Sequence, residues 1–411
     1  MNRGPSIIVA YQYFHPDENV SARIFTDLAA GLAARGWRVT ALTSDKLARD
    51  HHAQLERESA HLGVRIIRVP RPAFDPGVPR ERLAIAAWLT GAWLVRLLRE
   101  EQPDALVLGT DPAFSPALSV PLRRFWKRTK IVQWCFDMHP ETIVADGIMR
   151  ESSRIVTSAK LTMRAAYRAC DAIVDIGPCM RKRIENYAPS VAHETITPWA
   201  LVEPASPPHI ETTVRESLFG KAKIAVLYSG TLGRAHDHQT LLSFARACRT
   251  RGGDDVAFAF AGAGFGMDRI RENVTRDDTN VRLAEPCAES ELTARLAAAD
   301  FHLLSLRPSW TGIVVPSKFF GALAIGKPVL FAGAIDSGIA GWAKQYNLGY
   351  QFDTDSLEHA ASLLHQSNAE AGDATRIQQV YREHFSRNAG LDRWEGLLQK
   401  LRNGPKNTLI P

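Results

Sequence analysis

Thr311-Gly312-Ile313-Val314-Val315-Pro316-Ser317-Lys318-Phe319-Phe320-Gly321-Ala322-Leu323-Ala324-Ile325-Gly326-Lys327-Pro328-Val329 holds a turn, a helix and the start of a strand. The turn enters the helix through Pro316-Ser317-Lys318, the helix stops near Gly326, and a strand opens at Pro328-Val329. A helix running straight into an apolar strand is part of a βαβ unit. A lysine, a hydroxyl and unpaired backbone N–H groups at that helix N-terminus suit a diphosphate.

Working outward, strands are expected at 224–228, 256–261, 281–284, 301–306 and 328–331, each followed by a helical or glycine-rich turn segment. The first half repeats the pattern with strands at 7–10, 38–43, 64–69, 105–109, 130–136 and 172–176, and a helix at 21–35. These runs are almost continuously apolar, as in parallel sheets covered on both faces. The proline-rich stretch 195–208 breaks the series and reads as a connection. The expected fold is α/β, with two tandem Rossmann-like domains facing a central cleft. The domains are 1–200 and 201–385, and 386–411 is a separate C-terminal element, helical over 386–401.

The composition is that of an ordinary globular protein: 411 residues, 45% hydrophobic and 23% charged. Its net charge of +6 resides in residues 1–200, which hold 27 Lys+Arg against 21 Asp+Glu; the remainder holds 23 of each. The two halves therefore face different partners. Five cysteines, odd in number and without a CxxC pair, argue against a structural zinc or a disulfide framework. No apolar signal segment follows Met1-Asn2-Arg3-Gly4-Pro5, so a cytoplasmic location is expected, at the inner face of the membrane if membrane-bound. The apolar stretch 83–98, interrupted by Arg96, is too short to span a bilayer. It reads either as a buried helix or as one whose Trp88 and Trp93 touch a bilayer surface. The cluster Arg123, Arg124, Phe125, Trp126, Lys127, Arg128 and Lys130 reads as a solvated helix end or as an attraction for anionic lipid. No nucleic-acid-binding motif is present.

Candidate site residues fall at the carboxyl ends of strands, where such sheets bind ligands. The first strand leads into a polar loop with His15, Asp17, Asn19 and Arg23, in which Asn19 or Ser21 caps the following helix. It lacks GxGxxG, which disfavours a tight dinucleotide fit. Asp137, His139 and Glu141 follow another strand, and Asp111 follows the strand before it. They suit acid/base or hydroxyl-binding work; the alternative is capping by Asp137 with Pro140-Glu141 in the first turn. In the second half Gly230 and Arg234 follow one strand, and Gly262 and Gly264 another. Glycine lets a ligand approach the backbone, and arginine pairs with phosphate. No metal-ligand cluster is visible.

Tyr13-Phe14-His15-Pro16, the run Asp27-Leu28-Ala29-Ala30-Gly31-Leu32-Ala33-Ala34-Arg35-Gly36-Trp37-Arg38-Val39-Thr40, Asp137-x-x-Pro140-Glu141 and Val315-Pro316-Ser317-Lys318 … Ala324-x-Gly326-Lys327-Pro328-Val329 together resemble family 4 glycosyltransferases over nearly the whole chain. This is the large retaining family of GT-B architecture, and the likeness is to its bacterial surface-polysaccharide branch. In the second motif Trp37 replaces the family's histidine. The resemblance implies sugar transfer, with retention, from a nucleotide-diphosphate sugar on the C-terminal domain to an acceptor on the N-terminal domain. Gly230 and Arg234 would lie near the diphosphate and Gly262 and Gly264 near the nucleoside. Ser317 and Lys318, with Phe319 beside them, would also bind the donor. The final helix would cross back onto the first domain. The co-substrate serves in place of a cofactor, the implied partners are a nucleotide sugar, a lipid-linked acceptor and a membrane surface, and nucleic acid is not among them. Two family glutamates are missing, their places taken by Ile313 and Gly321, with Glu285 and Asp300 as candidate replacements. The family's phosphate-binding Arg and Lys fall near Thr231 and His236. The rival functions are a sugar-nucleotide epimerase of the same architecture and a non-catalytic scaffold of an assembly complex.

Overall fold

The computed structural model describes residues 4–75, 77–366 and 374–404, and expectations touching 1–3 and 405–411 lie outside them. The chain divides into two compact units, Met1–Thr197 with Gly390–Pro411, and Pro198–Ala389.

The first unit is built on β1 (Ser6–Ala10), β2 (Arg38–Ser44), β3 (Glu58–His61), β4 (Val64–Val69), β5 (Ala105–Leu108), β6 (Lys130–Trp134), β7 (Ala172–Asp175) and β8 (Ala192–Thr195). Its helices are α1 (Val20–Ala34), α2 (Pro79–Leu97), α3 (Ser119–Phe125), α4 (Glu141–Ala145), α5 (Arg154–Arg168) and α6 (Pro178–Glu185). The sheet order is β3-β4-β2-β1-β5-β6-β7-β8, parallel except for β3 against β4. Ile7 pairs with both Val39 and Ala105, so β1 is central, and Ile7 to Ala10 are buried. The order reverses at β1, which makes its carboxyl end the ligand-binding position of such a sheet.

The second unit carries β9 (Ile224–Ser229), β10 (Val256–Ala261), β11 (Val281–Ala284), β12 (Phe301–Ser305), β13 (Val329–Ala332) and β14 (Gly349–Phe352). Its helices are α7 (Thr212–Phe219), α8 (His238–Gly252), α9 (Phe265–Asn273), α10 (Glu289–Ala297), α11 (Lys318–Ala324), α12 (Gly338–Tyr346), α13 (Leu357–Gln366) and α14 (Ala374–His384), and α15 (Arg387–Asn403) starts here. The all-parallel order is β11-β10-β9-β12-β13-β14. Alternate residues serve separate cores. Val226, Tyr228, Phe258 and Phe260 pack on one face, and Ala225, Leu227, Ala257 and Ala259 on the other. Two buried faces explain the unbroken apolar runs.

From Gly390 onward α15 belongs to the first unit. Gly31 of α1 leaves the space Leu391 fills, Trp394 meets Trp134 edge-on at 5.0 Å, and Arg35 pairs with Asp392 at 2.5 Å. The expected fold class of two parallel-sheet domains is borne out.

Three strands went unread. β3 and β8 are polar edge strands, with sequences Glu-Ser-Ala-His and Ala-His-Glu-Thr, and the short β14 is the far edge of the second sheet. Edges need no second apolar face, so the signal that marks central strands is missing. Thr195, read as the start of the connection, closes β8. Helix α2 is half buried: Ile85, Leu89 and Trp93 pack inward, while Leu83, Trp88 and Val95 are at least half exposed. Among the described residues no helix is long and apolar enough to cross a membrane.

Candidate functional site

In the second unit, the turns after β9 and β10 meet through their backbones. Gly230 donates to the Ala261 carbonyl at 2.8 Å and Leu232 to Ala263 at 2.9 Å. A Cβ at Gly262 would overlap the Gly230 carbonyl oxygen, so only glycine fits. Gly230 has φ +105°, open to glycine and costly for other residues.

Lys318 opens α11 and reaches this point. Its Nζ donates to the Thr231 carbonyl at 2.8 Å and lies 5.1 Å from the Tyr228 ring centre. Burial lowers its pKa to about 8. His236 donates from Nδ1 to the Ser305 carbonyl at 2.6 Å. Burial first, and Lys318 second, lower its pKa to about 3, so the imidazole is neutral. Arg234 lies 5.1 Å and Arg269 5.2 Å from the centre of Phe265, just beyond Gly264. The group combines a half-desolvated ammonium, a neutral imidazole and a guanidinium held against an aromatic ring. That chemistry suits a phosphate-bearing ligand.

Several expected donor residues do other work. Phe319 is wholly buried among Phe320, Trp342 and Phe385, because the inner face of α11 turns it into the core. It is a packing residue and not a donor contact. Ser317 has helical backbone and does not cap α11 with its side chain. Asp300 accepts from Arg215 at 2.7 and 3.1 Å and from the Ala225 amide at 2.8 Å, which commits it to the sheet. Glu285 is an exposed partner of Arg271 at 3.1 Å. The sheet contacts of Asp300 make it unavailable to replace a missing glutamate. Ile313 is buried, whereas a Cβ at Gly321 would enter open space.

In the first unit, Asp111, Asp137 and His139 gather beyond β5 and β6 with Tyr11 and Arg82. Tyr11 donates to Asp111 at 3.2 Å. Burial, and then the Asp111 charge, push the Asp137 carboxyl up to about 7, with Arg82 opposing. Burial pulls the His139 imidazole down to about 4, Asp111 opposing and Arg82 adding to the shift. Near neutrality the Asp137 carboxyl is therefore close to its midpoint and the His139 imidazole is uncharged. His139 Nδ1 is 2.7 Å from the Thr142 hydroxyl. A cleft of about 300 Å³ opens here, lined by Tyr13, Asn19, Arg82 and Asp111 among others.

Glu141 does not join them. It is buried on α4, where it accepts from the Tyr187 hydroxyl. His15 stacks on His61 at 3.6 Å. Asp17 organises the loop by accepting from the Asn19 amide at 2.9 Å and the Ala48 amide at 2.6 Å. Asn19 caps α1 and also lines the cleft, and Arg23 is half buried on α1. Sequence reading missed Arg82. Its only signal was a position at the head of the apolar stretch, where it looked like a charged flank. Among the described residues no group of three His, Cys, Asp or Glu could hold a metal.

Residues 21–199 match the family model of the glycosyl transferase 4-like domain. A curated relative, a probable glycosyltransferase WbjE of Pseudomonas aeruginosa, is 26% identical over 238 residues, covering 56% of this chain and 58% of that protein. The chain thus spans under two thirds of the length of the relative it matches. Among solved structures, sucrose-phosphate synthase from Thermosynechococcus elongatus superposes with a TM-score of 0.74 at 16% identity, over 97% of this chain and 99% of that one. Anabaena HepE in complex with UDP and glucose gives 0.63 at 13% identity, over 96% and 99%. At such identities these likenesses establish the fold.

Proposed function

We propose that this chain, a family 4 glycosyltransferase by its N-terminal domain and a GT-B protein by fold, transfers a sugar from a nucleotide-diphosphate sugar to an acceptor hydroxyl with retention. The product would be a cell-surface polysaccharide or glycolipid. The observation that carries this reading is Lys318, bound to the Thr231 carbonyl where two glycine turns meet. As the sugar–phosphate bond breaks, negative charge grows on the leaving diphosphate, and Lys318 with Arg234 stabilises it electrostatically. The leaving phosphate takes the acceptor's proton, so neither a protein nucleophile nor a resident cofactor is required. Asp111, Asp137 and His139 orient the acceptor and polarise its hydroxyl. HepE holding UDP and glucose supports the donor class.

The acceptor is lipid-linked in this reading, and the protein works at the inner face of the membrane. Its support is the exposed face of α2, where Leu83, Trp88 and Val95 lie between Arg80 and Arg99.

The test is a thermal-shift screen of UDP, GDP, ADP and TDP and their sugars. A donor that binds only the native state raises Tm. Stabilisation by none of them would refute the donor assignment and favour a scaffold. Interconversion of the donor without an acceptor would favour an epimerase.

A further inference from the structure

Arg71 lies just beyond β4 and is 4% exposed. None of its three guanidinium nitrogens has a hydrogen-bond partner among the described residues. Arginine keeps its charge in proteins, and a buried charge without partners is strongly unfavourable. Asp45, the carboxylate whose charge acts on Arg71, is already engaged. Its Oδ1 accepts the Arg71 backbone amide at 3.0 Å, and its Oδ2 is 3.9 Å from the buried Lys46 ammonium. Two cations thus share one carboxylate.

This excess borders the first-unit cleft. Arg71 interacts electrostatically with the Tyr13 phenol, and so do Arg82 and Asp111, which line the cleft with Tyr13. The exposed Arg82 guanidinium makes no hydrogen bond or ion pair among the described residues, and its charge acts on Asp137. Asp17, a further carboxylate acting on Tyr13 besides Asp111, is committed to two backbone amides. The cleft therefore has Arg82 and Asp111 on its wall, and the buried Arg71 acts on the Tyr13 that lines it, with Lys46 on the other oxygen of the shared Asp45 carboxylate.

We propose that this cleft binds an oxyanion, a phosphate or a carboxylate carried by the acceptor beside its reacting hydroxyl, with Arg82 in contact and Arg71 and Lys46 supplying the field beneath. The inference rests on the N-terminal unit being the acceptor unit. It adds the acceptor's charge: the hydroxyls go to Asp111 and the acid group to the arginines. Phosphate and carboxylate share this chemistry, since both accept forked guanidinium hydrogen bonds.

The experiment uses the full chain and measures Tm and calorimetric affinity with methyl phosphate, glucuronate and neutral methyl glucoside. Lys318→Ala removes the main cation of the donor site, so anion binding that persists in it belongs to the cleft. One of the two anions should stabilise wild type and Lys318→Ala equally, with methyl glucoside much weaker. Which anion acts identifies the group. Arg82→Gln should weaken binding by about tenfold or more, the worth of one charge-assisted contact, and Arg71→Met should weaken it less, through the lost field alone. Arg71→Met should also melt at or above the wild-type temperature without ligand, because it removes an unsatisfied buried charge. Binding abolished by Lys318→Ala, binding unchanged in Arg82→Gln, or an Arg71→Met variant that melts well below wild type would each overturn the proposal. The donor screen stands apart from this, since nucleoside diphosphates can bind whether or not the cleft takes an anion.

Discussion

Lys318→Met tests the donor site through proton bookkeeping. Burial holds the Lys318 ammonium at about 8 instead of 10.5. A diphosphate placed against it would restore the charged form and return the pKa to its ordinary value or higher. At pH 8.5 a group of pKa about 8 is about one-quarter protonated, and after binding it is almost fully so. Binding should therefore take up about three-quarters of a proton at pH 8.5, and about one-tenth at pH 7. The terminal phosphate is already ionised at the higher pH, and His236, held at about 3, stays neutral. Calorimetry in buffers of different ionisation enthalpy reads the uptake directly. In Lys318→Met the uptake at pH 8.5 should vanish, and affinity should fall about 10- to 100-fold, the worth of a hydrogen bond to a charged group. In Lys318→Ala turnover should drop at least about tenfold with the fold intact. Equal uptake in wild type and variant would refute the argument, because some other group would then be titrating.

Asp137→Asn should be more stable than wild type above about pH 7, the gap closing as pH falls towards 4. A carboxyl raised from 3.8 to about 7 favours the fold while protonated and loses that contribution as pH rises through the folded pKa, so melting curves across pH 4–8 read the sign. Phe319→Ala should destabilise the second unit by about 3–5 kcal/mol in denaturant titration, with little change in donor affinity per folded molecule. Trp88→Glu should weaken binding to vesicles containing anionic lipid about tenfold or more in a flotation assay, since it replaces an exposed apolar anchor on α2 with a charge.

The sequence revealed what depends on repetition and hid what depends on distance. Central strands such as β1, β5, β9 and β10 are apolar on both faces and announce themselves, while β3 and β8 are covered on fewer sides and do not. Gly230, Gly262 and Lys318 were legible because each sits in a turn whose chemistry is local. Phe319 was misread for the same reason: adjacency to Lys318 suggested a shared ligand, yet one helical step turns a side chain by about 100° and carried it into the core. Glu141 shows the same error at α4, where Tyr187, 46 residues away, takes up the carboxylate. Arg71 gave no signal and Arg82 only that of a charged flank, because their meaning depends on Tyr13 and Asp111, which only folding brings near.

The uneven charge of the chain now has a location. Several basic residues in the first 200 neutralise local carboxylates: Arg65 with Glu58 and Glu100, Arg123 with Asp171, Arg181 with Asp175. Such pairs contribute little to long-range attraction, because each cation's field is cancelled within a few ångströms. The excess that can act on a partner lies elsewhere. One part is Arg80 and Arg99 at the ends of the apolar α2 face, and the other is Arg71, Arg82 and Lys46 around the cleft. The first suits a surface and the second a single group. In the proposed reading a lipid-linked acceptor bearing an acid group would present both at once, which would account for the net charge of +6 being carried by the first 200 residues. The proposed donor unit needs no such excess, because one desolvated lysine and a few placed partners would hold a diphosphate without a general positive field.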